Sequence, residues 1–187
     1  VNTVTVKQTS KLMIVAHPDD EALFGGQELV QTSKWLVICL TNGNHTKRRE
    51  QFLNAMESLS LQSEIWNYPD QPGLSKQKSL AQQLWKPFIE EIKERLSNVL
   101  AHQSFSQVIT HNCSGEYGHP HHQITHYLVQ DIVPPEKLFC FALGAKINQE
   151  ILDKKLALLS FYNEQFSPQE LIKYSSWITQ ATIKSLV

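Results

Sequence analysis

Short apolar runs rich in β-branched and aromatic residues recur along the chain at 11–16, 35–41, 64–68, 107–110 and 137–143. Between them the apolar positions change to a helical period. Ala22, Leu23, Leu29 and Val30 give one face to a short helix that Gly25 and Gly26 either interrupt or let pack closely against the sheet. Phe52, Ala55, Met56 and Leu59 follow at i, i+3, i+4 and i+7, the spacing of an amphipathic helix. A longer interval places Leu80, Leu84, Phe88, Ile92 and Leu96 four residues apart, and Pro87 kinks or divides the helix they predict. After the fifth run, residues 151–161 are helical in pattern, and Ser167-Pro168 caps a last helix that starts near Gln169.

Strands alternating with helices argue for βαβ units and a parallel sheet. The fold class expected is therefore α/β, a Rossmann-like three-layer sandwich with a mostly parallel central sheet. Neither a repeat nor a linker divides the chain, so residues 1–187 are expected to form a single domain. In such a sheet ligands bind at the carboxyl ends of the strands. Residues 67–73, Asn-Tyr-Pro-Asp-Gln-Pro-Gly, have the densest turn composition in the chain and fall at that edge, so they read as a loop of the site.

That edge is where the chemistry collects. The first run leads into Ala16-His17-Pro18-Asp19-Asp20-Glu21, an imidazole and three carboxylates in five positions. Carboxylates so close raise one another's pKa unless a cation compensates them, and a metal ion is the simplest one. A helix dipole behind Pro18 would also favour the acids, but it leaves the histidine unexplained. A second cluster begins where the fourth run ends: five of the eight histidines lie at His111, His119, His121, His122 and His126. In a parallel sheet both clusters reach one edge.

A catalytic zinc site typically has three protein ligands and an open fourth position. His17, Asp20 and a histidine of the second cluster would supply them. A rival pair, His122 and His126, would share one helical face, but Gln123 stands where helical metalloproteases carry glutamate. Cys113 is a further soft donor beside the cluster. His45 and His102 read as surface or packing residues, as does His126 outside that pair.

Bulk properties narrow the partners. Seventeen basic and eighteen acidic residues leave a net charge of −1, which excludes a general nucleic-acid or anionic-membrane binder. No run approaches the roughly 18 apolar residues of a membrane span, and the first ten residues are too polar for a signal peptide. Cys39, Cys113 and Cys140 are odd in number and widely spaced, which suits reduced thiols and a cytoplasmic setting.

The chain resembles the PIG-L/LmbE-like family of zinc-dependent de-N-acetylases, which act on N-acetylglucosamine-type amines. Ala16 to Glu21 match its Ala-His-Pro-Asp-Asp-Glu signature, and Gly118 to His122 match its Gly-His-Pro-x-His. Weaker similarities include Thr41-Asn42-Gly43, Arg48, Pro69-Asp70, and Lys155 ahead of a Tyr-x-x-Gln ending at Gln165. The resemblance implies His17, Asp20 and His122 as metal ligands and Asp19 as general base. It also implies that His119 and Tyr117 face the reacting carbonyl and that Arg48 and Asp70 contact a small-molecule or glycoconjugate substrate. The metal implied is Zn2+, although two histidines and a carboxylate also suit Fe2+ or another divalent ion. A non-sugar N-acyl substrate and a non-catalytic metal-binding role are the alternatives.

Two positions depart from the family. His121 stands where an acid often pairs with the first histidine, so His119 should lose its proton more easily unless Glu116 serves instead. Gln51 follows Arg48 where glutamate is common, and Arg49 with Glu50 offers a competing register.

Overall fold

The computed structural model describes residues 9–71, 73 and 77–186. Most of the opening segment and Pro72 of the turn-rich segment thus lie outside the described residues. Within them the six strands are β1 (Lys11–Val15), β2 (Trp35–Thr41), β3 (Gln62–Tyr68), β4 (Gln107–Thr110), β5 (Leu138–Leu143) and β6 (Ala181–Ser185). They form one sheet in the order β3-β2-β1-β4-β5-β6. The first five are mutually parallel, with Lys11 opposite both Trp35 and Gln107, and β6 runs antiparallel to β5.

Strand side chains alternate between faces, and here both faces are covered. Met13, Val15, Val37, Cys39, Ile109 and Phe141 meet α1 (Asp20–Leu29), α2 (Thr46–Ser58) and α6 (Gln149–Leu159) on one side. Leu12, Ile14, Leu36, Ile38, Leu40 and Val108 meet α3 (Lys78–Trp85), α4 (Ile89–His102) and α5 (Pro120–Gln130) on the other. Continuous apolar runs such as Trp35 to Leu40 follow from burial on both faces. Helix, sheet and helix make the three expected layers.

Three details sharpen the sequence pattern. Gly25 and Gly26 do not interrupt α1, because they let it lie close to its neighbours. A Cβ at Gly25 would meet Met13 Cε at 2.5 Å, and one at Gly26 would meet Lys155 Cγ at 2.9 Å. Pro87 sits in a 3-10 turn, Lys86–Phe88, and so divides α3 from α4. The chain ends in two short helices, α7 (Pro168–Lys173) and α8 (Ser175–Gln180), of which the pattern indicated only the first. Ser167 caps α7 through a reciprocal capping box with Glu170.

Sequential strands step outward from β1 in one direction to β2 and β3, then restart beside it with β4. This reversal is a topological switch point, where the loops after β1 and β4 diverge and leave a crevice. The first loop and the start of α1 carry His17 to Asp20, and the second loop and the start of α5 carry His111 to His122.

Candidate metal and catalytic centre

β1 ends at Val15, and a tight turn through Pro18 starts α1 at Asp20. Asp19 makes that turn at φ 111°, a region that side-chain-bearing residues rarely adopt and that costs roughly 1–3 kcal/mol. Glu21 braces it. Its carboxylate accepts the Asp19 N–H at 3.1 Å and the hydroxyl of Tyr162, a buried core residue just after α6.

The turn aims Asp20 back at His17. Asp20 Oδ2 accepts the His17 backbone N–H at 2.8 Å and lies 3.1 Å from His17 Nδ1. His122, in the first turn of α5, brings Nε2 to 3.3 Å from each of those two atoms. Zinc bonds of 2.0–2.2 Å at tetrahedral angles put donors about 3.3 Å apart. These three atoms therefore form one face of a tetrahedron of the right size, and all three side chains are buried. Burial opposes ionisation of Asp20, yet His122 and His17 hold its carboxyl well below the ordinary value.

Glu116 orients the second histidine. Its Oε2 accepts from His122 Nδ1 at 2.6 Å and His111 Nδ1 at 2.9 Å, and Oε1 accepts the Asn112 N–H at 2.8 Å. With Nδ1–H committed there, His122 presents the lone pair of Nε2 to the crevice. Glu116 does not take the missing acid's place beside His119. His111 comes within 3.4 Å of Asp20, but the Ala16 N–H points at its Nε2 from 3.0 Å. Asp20, His111 and His122 also form a possible donor set, but the engaged Nε2 lone pair makes His111 a support of the centre.

Arg48, half-buried on α2, is the arginine that reaches the site; Arg49 is exposed. Its Nη2 lies 3.2 Å from Asp19 Oδ2 and donates to the Pro18 carbonyl, and Nη1 donates to Gln165 Oε1 at 3.1 Å. Gln165 is tied in turn to Gln51, the residue that replaces the common glutamate. Burial nevertheless pushes Asp19 up to about 7, with Asp20 adding to the rise and Arg48 opposing it. Such a carboxylate gains and gives up a proton near neutrality.

His119 caps α5, its Nδ1 accepting the His121 N–H at 3.2 Å. Its remaining proton is therefore on Nε2. Burial, then the His17 and His122 rings, hold its pKa well below the ordinary imidazole value. Tyr117 is partly exposed at the rim, its ring 5.9 Å from that of His119 and 5.4 Å from that of His122. Asp70, after β3, accepts from Asn42 Nδ2 at 3.1 Å and stands 3.7 Å from His17 Nε2. It also lines a cavity of about 420 Å³ with Asn42, His45, Asn67, Tyr68, Pro69 and Phe88. The two motifs thus share one crevice with Arg48, Asp70 and Gln165, all distant in sequence.

The other histidine expectations sort by contact. His126 is buried, its Nδ1 2.9 Å from the His111 carbonyl, and its ring packs against Cys140 and not beside His122's donor atom. His45 caps α2, accepting the Arg48 N–H, and His102 is exposed. All three cysteines are free, and Cys113 is exposed outside the donor groups found among the described residues. The sequence names His111 and Gln165 without giving either a role, and holds no sign of the stacking of His121 on Trp85. The positions of His111 and Gln165 in partial motifs were their only signal.

A family model described as GlcNAc-PI de-N-acetylase, PIG-L, matches residues 12–133. The chain belongs to the PIG-L family. Both the His17 to Asp20 turn and the His119 to His122 helix start fall within the match. A protein of Acanthamoeba polyphaga mimivirus described as uncharacterized is 36% identical over 170 residues, covering 82% of this chain and 71% of that one. A probable N-acetylglucosaminyl-phosphatidylinositol de-N-acetylase of Schizosaccharomyces pombe is 25% identical over 122 residues, 60% of this chain and 47% of that one. The chain thus spans about half the length of the yeast relative.

Solved structures repeat the PIG-L fold at low identity. A deacetylase of the teicoplanin biosynthesis pathway superposes with a TM-score of 0.62 at 15% identity, covering 83% of this chain and 84% of the other. The deacetylase of the A40926 pseudoaglycone gives 0.64 at 15%, with 88% and 87% covered. Family membership places this chain among hydrolytic deacetylases. No helix of the described residues is long and apolar enough to cross a membrane.

Proposed function

We propose that the protein is a zinc-dependent hydrolase that removes the acetyl group from an N-acetylglucosamine-containing substrate, releasing acetate and the free amine. The observation that carries the reading is the triangle of His17 Nδ1, Asp20 Oδ2 and His122 Nε2, with sides of 3.1, 3.3 and 3.3 Å, beside the Asp19 carboxylate that Arg48 holds. These residues fit zinc in number, donor type and spacing. Bound there, the cation would supply Lewis acidity to the acyl oxygen and acidity to a coordinated water.

The remaining steps belong to the chain. Asp19, adjacent to a ligand and tuned near neutrality, takes the proton of the attacking water. Negative charge then develops on the acyl oxygen. His119 is a neutral Nε2–H donor and meets that charge, with the Tyr117 hydroxyl at the rim as a second donor. One such donor is worth roughly 3–4 kcal/mol in an enzyme. A ring held neutral is a poor proton source, so Asp19 returns its proton to the departing amine. Arg48 keeps the Asp19 carboxylate in place, and Asp70 offers an acceptor to sugar hydroxyls at the mouth of the neighbouring cavity.

The zinc-loaded protein is expected to release acetate from N-acetylglucosamine conjugates, counted by a coupled acetate assay. Asp19→Asn should lower that rate by at least about 100-fold, in the range of a lost general base, while zinc binding persists. An unchanged rate in D19N would remove Asp19 from the base role. Cleavage of non-sugar N-acyl compounds with no acetate from any amino-sugar conjugate would replace the substrate class.

A further inference from the structure

The His121 side chain does not pair with His119, which takes only its backbone N–H. From the first turn of α5 its ring is turned toward Trp85 of α3 and stacks on the indole at 4.3 Å between centroids and 21° between planes. This buries the ring completely. Its Nδ1 is left 3.2 Å from His17 Nε2, the nitrogen opposite the one that faces Asp20 and His122. Asp70 Oδ1 is 3.7 Å from both, outside direct hydrogen-bond reach. His121 Nε2 has no partner among the described residues.

We propose that His121 is a positioning residue for the metal ligand His17, accepting its Nε2–H and so fixing the tautomer and plane of that ring. A histidine that ligates through Nδ1 carries its proton on Nε2, and ligating histidines nearly always give that proton to an acceptor behind them. Among the described side chains only His121 is within hydrogen-bond distance of that atom. Acceptance at Nδ1 requires the Nε2–H tautomer, which leaves a buried donor unpaired. Buried polar atoms without partners are uncommon, and one retained here is explained by the task of the opposite nitrogen. Trp85 supplies the surface that holds the ring to it.

The inference rests on the zinc reading above, and zinc affinity measured by chelator competition without substrate tests it. His121→Phe keeps a flat ring for Trp85 but removes the acceptor; it should weaken zinc binding by about 10- to 100-fold. His121→Asn, whose amide oxygen falls near the former Nδ1, should recover most of the loss. Cobalt-loaded H121F should show a visible spectrum altered from that of the cobalt-loaded wild type, and cobalt-loaded H121N one close to it. Wild-type affinity in H121F, or equal losses in both variants, overturns the proposal. A measurement on the unaltered zinc-loaded protein is independent of variant folding: imidazole nitrogen NMR should find His121 protonated at Nε2. Protonation at Nδ1 would overturn the proposal. Wild-type protein that binds no zinc would remove the metal reading and this inference together, whereas zinc binding indifferent to His121 would remove only the inference.

Discussion

Glu116 decides which nitrogen of His122 is free. Its side chain receives two imidazole N–H groups and a backbone N–H, and against its own burial the histidines draw it down to about 2. Glu116→Ala would leave the Nδ1–H groups of His122 and His111 buried without an acceptor, at about 1–3 kcal/mol each. Zinc affinity should fall about 10- to 100-fold as His122 loses its orientation, and the apo protein should melt lower. Chelator competition and thermal unfolding on one preparation check both, and intact zinc affinity would show that α5 alone orients His122. The residues of the local motifs were legible in the sequence because a tight turn and a helix start impose their geometry within five positions. The sequence offers Glu116 only as a conditional partner of His119, and it pairs instead with His122 and His111. Its own φ of 59°, with Gly115 at 70° and Gly118 at 92°, turns the loop back on itself, and no periodicity records that path. His121 and Trp85 meet only through the packing of α5 on α3.

The strands and the helices that cover them were readable for a different reason: burial on both faces writes apolar runs, and burial on one face writes a helical stripe. Legibility failed where structure depends on edge pairing. α8 and β6 are five or six residues each and partly exposed, and β6 exists because the free edge of β5 offers it backbone partners. Within α1 two glycines resemble an interruption, yet they are where the helix touches the sheet and α6. Gly25→Ala tests this directly. Alanine gains up to about 1 kcal/mol of helix propensity, but its Cβ would meet Met13 Cε at 2.5 Å and Phe141 Cε1 at 3.1 Å. Overpacking a core of this kind costs about 1–3 kcal/mol, so the variant should be less stable. At roughly 2–4 °C per kcal/mol for a chain of this size, the melting temperature should drop by a few degrees. A rise would show that Met13 moves aside without cost.

Lys155 joins the layers that hold the site in place. It is fully buried on α6, its stem lies against Gly26 of α1, and its Nζ donates to Gln27 Oε1 at 3.2 Å and to the Trp177 carbonyl of α8 at 2.7 Å. Both partners are neutral, and burial pushes the ammonium down to about 7. An unfolded lysine titrates near 10.4. Between these values the unfolded chain holds the proton more tightly than the folded one, so this group makes stability rise with pH from about 7 to about 10 and contributes no slope below. The slope is at most about 1.4 kcal/mol per pH unit. Lys155→Met removes it, and also strands two buried acceptors at about 1–3 kcal/mol each. The wild type should therefore exceed the variant by most at pH 10, and the gap should close or reverse at pH 7. Urea unfolding at unit intervals across that range measures the difference directly. A constant gap would mean that Lys155 keeps its charge in the fold, and that the contacts of α1, α6 and α8 tolerate an ammonium with no counter-ion at their centre.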